Sequence, residues 1–146
     1  MNPFDTRNRP AGDVVADLRT LDGLKLAVLG SNDVPAKAAA EAFVEHRRAI
    51  VDLIGGRPVR LVTSCRPVGA EKAARLAAKE FTGSPAVVFH RAEITYGVRP
   101  ADMMANMIIA QEADALVVLT TGSDVCGLVK ARFESNGKNV YEIEFM

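Results

Sequence analysis

Two patterns alternate along the chain. Short apolar runs at Leu24 to Leu29, Val59 to Thr63, Ala86 to His90 and Ala115 to Leu119 are too brief for buried helices and carry no periodic polar face. That is the pattern of parallel strands covered on both sides. Between them lie segments whose apolar residues recur every three or four positions, as in helices with one face inward. From about Pro35 to Ile54 this period turns Ala39, Phe43, Ile50, Leu53 and Ile54 toward a core and leaves Lys37, Glu41, Glu45 and Arg48 outside. Gly55 and Gly56 stop that helix, and Asp33, just before Pro35, suits its N-cap. A second helix runs from about Ala70 to Glu80 with Ala73, Leu76, Ala77 and Phe81 inward. A third begins near Pro100, where Met103, Met104, Met107 and Ile108 form a wide apolar arc, and a fourth spans about Asp124 to Glu134 with Val125, Leu128, Val129 and Phe133 inward. A short helix from Asp13 to Leu21 precedes the first strand. The last strand, Asn139 to Phe145, sets Tyr141, Ile143 and Phe145 against Glu142 and Glu144, so one face meets water and the strand lies at or near a sheet edge.

Strands that alternate with helices are joined by right-handed connections and make an α/β fold. The expected architecture is a three-layer Rossmann-like domain with a mainly parallel five-stranded sheet and helices on both faces. Residues 13–146 form this single domain. Residues 1–12, with Pro3, Pro10, Asn2 and Asn8 and no apolar period, form a flexible N-terminal arm. In such sheets ligands sit at the carboxyl ends of the strands where the winding reverses, which here means the loops after the first, second and fourth strands.

Composition narrows the function. Eighteen basic residues balance eighteen acidic ones, so no net field draws the chain to a nucleic-acid backbone or a membrane. Aromatics at 5% with no Trp argue against a base-stacking platform. Cys65 and Cys126 have neither CxxC nor His spacing, so no metal site and no resident cofactor is read from the sequence. They fit reduced thiols in a cytoplasmic protein, and the polar, mixed-charge stretch from Met1 to Arg19 is neither a signal peptide nor a membrane segment.

The three loops hold the candidate chemistry: Gly30, Ser31 and Asn32, then Ser64, Cys65, Arg66 and Gly69, then Thr120, Thr121, Gly122 and Ser123. Small and hydroxyl residues at a strand-to-helix turn serve as caps, and the same turns aim backbone N–H groups at an anion. Arg66 would add a permanently charged bidentate donor. Glu71 and Asp124 are the acids placed to reach a ribose or act as a general base, although a carboxylate in a first helical turn also answers the helix dipole. His90 is the base on that sheet edge for a cysteine nucleophile and reads first as a structural histidine, while His46, in the charged part of the long helix, reads as solvated.

These residues resemble a family. The run Lys25 to Asn32, the segment Leu61 to Ala74 containing Ser64-Cys-Arg-Pro-Val-Gly69, Asn106 ahead of Ala113 to Leu119, and Gly122-Ser123 before a helix look like the SLOG superfamily. This Rossmann-like group contains the LOG nucleoside-monophosphate phosphoribohydrolases and the DNA-processing DprA proteins, and the likeness is strongest to its small YspA-like branch. The resemblance implies binding of a nucleotide or nucleotide-derived ligand, with Gly30, Ser31, Ser64, Arg66, Gly69, Asn106, Thr121, Gly122 and Ser123 at the equivalent positions. The chain has Ser64-Cys-Arg-Pro-Val-Gly69 in place of a Gly-Gly-Ala-x-Gly motif, and Thr121-Gly122-Ser123-Asp124 in place of Gly-Gly-x-Gly-Thr. Two alternatives stand beside ligand binding. One is hydrolysis of an N-glycosidic bond, with Glu71 or Asp124 as the catalytic carboxylate. The other is a homodimeric interaction module that uses the Met-rich helix from Met103 to Ile109.

Overall fold

The computed structural model describes residues 11–21, 23–30, 34–53, 55, 58–64, 69–83, 86–89, 109–120 and 124–144. Five strands, β1 (Leu24–Gly30), β2 (Pro58–Ser64), β3 (Val87–Phe89), β4 (Ala115–Thr120) and β5 (Asn139–Glu144), form one sheet in the order β3-β2-β1-β4-β5. All four neighbouring pairs are parallel. The helices are α1 (Ala11–Arg19), α2 (Ala36–Glu45), α3 (Arg47–Leu53), α4 (Gly69–Thr82), α5, described over residues 109–112, and α6 (Asp124–Ser135).

The unbroken apolar runs arise because successive strand residues enter opposite cores. Leu26 and Val28 of β1, with Ala115, Val117 and Leu119 of β4, pack against α2, α3 and α4 through Ala39, Phe43, Ile50, Ala70, Ala74 and Ala78. Ala27 and Leu29, with Leu116 and Val118, pack on the other face against Val14 and Leu18 of α1, Ile109 and Ala110 of α5 and Phe133 of α6. Helices therefore cover both faces. α2 and α4 lie on one side while the sheet grows from β1 toward β3, and α5 and α6 lie on the other after the winding reverses, as right-handed crossovers require. β3 and β5 are the edge strands, and Glu142 of β5 pairs with Lys130 of α6.

Five expectations change. The helix read from Pro35 to Ile54 breaks at His46, which has φ −99° and ψ 10° and separates α2 from α3. His46 is half-buried rather than solvated, and its Nδ1 lies 2.8 Å from the Tyr141 hydroxyl. α2 is capped by Pro35, with no side-chain cap, so the helix starts later than a cap at Asp33 would set it; Asp33 itself lies outside the described residues. In α4 the buried stripe is Ala70, Ala73, Ala74 and Ala78, whereas Leu76 stands 79% exposed. The alanines win because only methyl-sized side chains fit the close approach of α4 to the sheet and to α2. α1 also starts at Ala11, inside the stretch read as arm; residues 1–10 and the Met-rich segment from Met103 to Ile108 lie outside the described residues.

Candidate functional site

The strands that precede the predicted loops all end along one edge of the sheet. β1 ends at Gly30, β2 at Ser64 and β4 at Thr120, and α4 and α6 start from that edge at Gly69 and Asp124. The winding reverses between β1 and β4, which pair as far as Gly30 and Leu119. The pairing of β1 with β2 ends earlier, at Ala27 and Val62, and beyond it the fully buried Thr63 hydroxyl donates a 2.8 Å bond to the Val28 carbonyl. A hydroxyl buried in an apolar layer needs such a partner.

Two glycines set the geometry here. A β-carbon on Gly30 would collide with the Ala70 methyl and sit 3.0 Å from the Leu119 carbonyl oxygen. One on Gly69 would strike the Val34 carbonyl and lie 2.6 Å from the Pro35 carbonyl carbon and 2.7 Å from the Ala36 nitrogen. The start of α4 is thus pressed both onto the end of β1 and onto the entry to α2. Both glycines permit a close approach. Its partner is the protein's own backbone and methyl groups, so two helix N-termini lie side by side at the carboxyl edge of β1 and β2.

Of the residues predicted for the site, Gly30, Ser64, Gly69, Glu71, Thr120 and Asp124 fall in described elements on this edge, with Glu71 in the first turn of α4 and Asp124 opening α6. The structure brings the strand and helix termini that carry them together. Ser31, Asn32, Cys65, Arg66, His90, Asn106, Thr121, Gly122 and Ser123 lie outside the described residues. Among the described residues no cluster of three or more His, Cys, Asp or Glu could hold a metal ion, and no helix is long and apolar enough to cross a membrane.

The opposite edge is cross-linked by polar groups that the sequence pattern did not single out. The Arg19 guanidinium at the end of α1 donates two 2.7 Å bonds, one to each carboxylate oxygen of Glu112. This pairing holds the Glu112 carboxyl below its ordinary range. The Asp114 carboxylate accepts a 2.9 Å bond from the Lys25 backbone N–H, and the Asp114 N–H donates to the Lys25 carbonyl at 2.8 Å. Lys138 donates to the Ala110 and Gln111 carbonyls at 2.9 and 3.1 Å, placing a cation at the C-terminal end of α5. These bonds join residues far apart in sequence, which no local pattern reveals. They close the amino edge of the sheet, and its carboxyl edge is where β1, β2 and β4 end and α4 and α6 begin.

Comparison with protein families, with curated proteins and with solved structures found no match for this chain.

Proposed function

We propose that the chain is a Rossmann-like domain of SLOG type that binds a nucleotide or nucleotide-derived ligand at the carboxyl edge of its sheet. The observation that carries this reading is the reversal of winding between β1 and β4. In open parallel sheets the connections leave that point in opposite directions and open a crevice between the loops. The paired N-termini of α2 and α4 beside β1 support it, because free N–H groups and aligned peptide dipoles favour an anion such as a phosphate. Arg66, in the loop that joins β2 to α4, supplies the charge-assisted donor in this reading, and Gly30 to Asn32 face the ribose or base.

The test is a thermal-shift screen of the native protein and Arg66→Ala against nucleoside mono-, di- and triphosphates, cyclic dinucleotides, NAD and ADP-ribose at millimolar concentration. A ligand that binds only the folded state must raise Tm. The expected result is a rise with at least one compound that Arg66→Ala reduces or removes. A folded protein whose Tm is unmoved by every compound overturns the proposal.

A further inference from the structure

The two edges of the sheet are built differently. β3 is three residues long, and a very short strand is one way in which a protein blunts an edge against further pairing. β5 is six residues long, Asn139-Val-Tyr-Glu-Ile-Glu144, and contains no proline. Its register with β4 runs from Asn139 to Glu144 without a shift, so no bulge bends it away. Both of its faces are used. Tyr141 and Ile143 pack on one core, Val140 packs on the other, and Glu142 pairs with Lys130 of α6. What β5 leaves open is its outer side, where no strand pairs with it among the described residues. Such an edge presents a row of backbone N–H and C=O groups to a further strand.

The charges along β5 describe which strand would fit. Two copies of β5 related by a two-fold axis run antiparallel, and residues that meet across an antiparallel pair share a face. A register centred on Tyr141 sets Tyr141 against its own counterpart, Val140 against Glu142, Asn139 against Ile143 and Lys138 against Glu144. The last pair forms twice, once at each end. Glu144 is exposed, and the half-buried Lys138 ammonium spends two of its three N–H groups on the Ala110 and Gln111 carbonyls. Centring the pair on Glu142 would set that carboxylate against itself, and centring it on Val140 would leave Glu144 opposite Asn136. A strand of another protein would need an acid and a base at these same two ends, whereas a second copy brings both.

We propose that β5 is a self-association edge. Two copies of the chain join β5 to β5, antiparallel about Tyr141, with Lys138 of each facing Glu144 of the other, so that their sheets become one. The interface is isologous, as a two-fold dimer requires. It does not rest on the nucleotide reading.

Sedimentation equilibrium of the full chain should show a monomer–dimer equilibrium that weakens at high salt. Glu144→Lys should raise the dimer Kd by about tenfold or more, because it places two cations opposite each other at both ends. Lys138→Gln and Glu144→Gln, made singly and together, form a cycle in which glutamine keeps a donor for the α5 carbonyls and removes the charge. The double variant should lose less than the two single losses combined. Glu144 is exposed, so its variants keep the fold, and far-UV circular dichroism checks that they do. Amide exchange over residues 139–144 should slow as the dimer forms, since pairing covers the outward N–H groups. A monomer at every concentration overturns the proposal and leaves the edge to a strand of another protein. A monomer whose β5 amides are already protected also overturns it, and assigns the edge to another segment of the same chain. So does a dimer that ignores Glu144→Lys, one whose β5 amides exchange as in the monomer, or one in which the two glutamine effects simply add.

Discussion

The Nδ1 atom of His46 lies 2.8 Å from the hydroxyl of Tyr141, and the two rings meet edge to face at 5.7 Å with 63° between their planes. His46 occupies the break between α2 and α3, and Tyr141 lies on the edge strand β5. The contact fastens the helical layer to the outermost strand. Tyr141→Phe keeps the ring and removes the hydroxyl, so it should lower stability by about 0.5–1.5 kcal/mol. Tyr141→Leu also removes the ring contact and should cost roughly 0.5–1.5 kcal/mol more. Urea unfolding of the two variants separates the contributions.

Gly69→Ala should destabilise by about 1–3 kcal/mol, the usual range for overpacking, even though alanine is the better helix former. The obstructing atoms are the backbone of Val34, Pro35 and Ala36, which no side-chain rotation can clear. Gly30→Ala should also destabilise, and there part of the obstruction is the Ala70 methyl. Ala70→Gly should therefore recover part of the Gly30→Ala loss and none of the Gly69→Ala loss. Thermal melts of the single and double variants check this.

The paired Glu112 carboxyl makes stability depend on pH. Its folded-state pKa lies below the ordinary value because Arg19 hydrogen-bonds the ionised form. A group lowered in this way contributes its full stability above the unfolded pKa and loses it as pH falls through the folded value. Arg19→Met should therefore unfold at a lower urea concentration than the native protein near neutrality. The difference should shrink as pH drops through the carboxylate range and vanish below it. A constant difference down to about pH 2 would disprove the linkage.

Thr63→Val preserves shape while removing the buried hydroxyl that serves the Val28 carbonyl. The expected loss is about 1–2 kcal/mol, because the carbonyl forfeits a partner in an apolar layer. Chemical denaturation is the direct measure, and a neutral result would mean that a water replaces the hydroxyl.

The first four strands were legible as apolar runs, because a parallel strand covered on both faces is apolar at successive positions, and β5 was legible as an alternation because one of its faces meets water. Helix breaks were harder. Ile50 and Leu53 continue the period of Ala39 and Phe43, so the apolar pattern runs straight through His46, and the contact of His46 with the distant Tyr141 leaves no local mark in the sequence. Leu76 was read inward because it shares a helical stripe with other apolar residues. The alanines at 70, 73, 74 and 78 define a competing stripe, and close packing selected it. The edge that carries the candidate residues was legible, since strands that alternate with helices in a parallel sheet all turn into helices at their carboxyl ends; the strand order, and so the point where the winding reverses, was not. The chemistry of that edge was less legible. Gly30 and Gly69 have the same sequence signature whether they approach a ligand or, as here, a neighbouring helix.

The sheet order has a kinetic consequence. β1 meets β2 early in the chain, yet its other neighbour, β4, is paired from Leu26 and Ala115 onward. The most enclosed strand therefore waits for residues near the far end before its second edge closes. Closing that long loop slows folding, and until β4 arrives β1 keeps an open apolar edge. During synthesis the first three strands emerge before their sheet can be completed, and this interval is when the chain is most prone to aggregate.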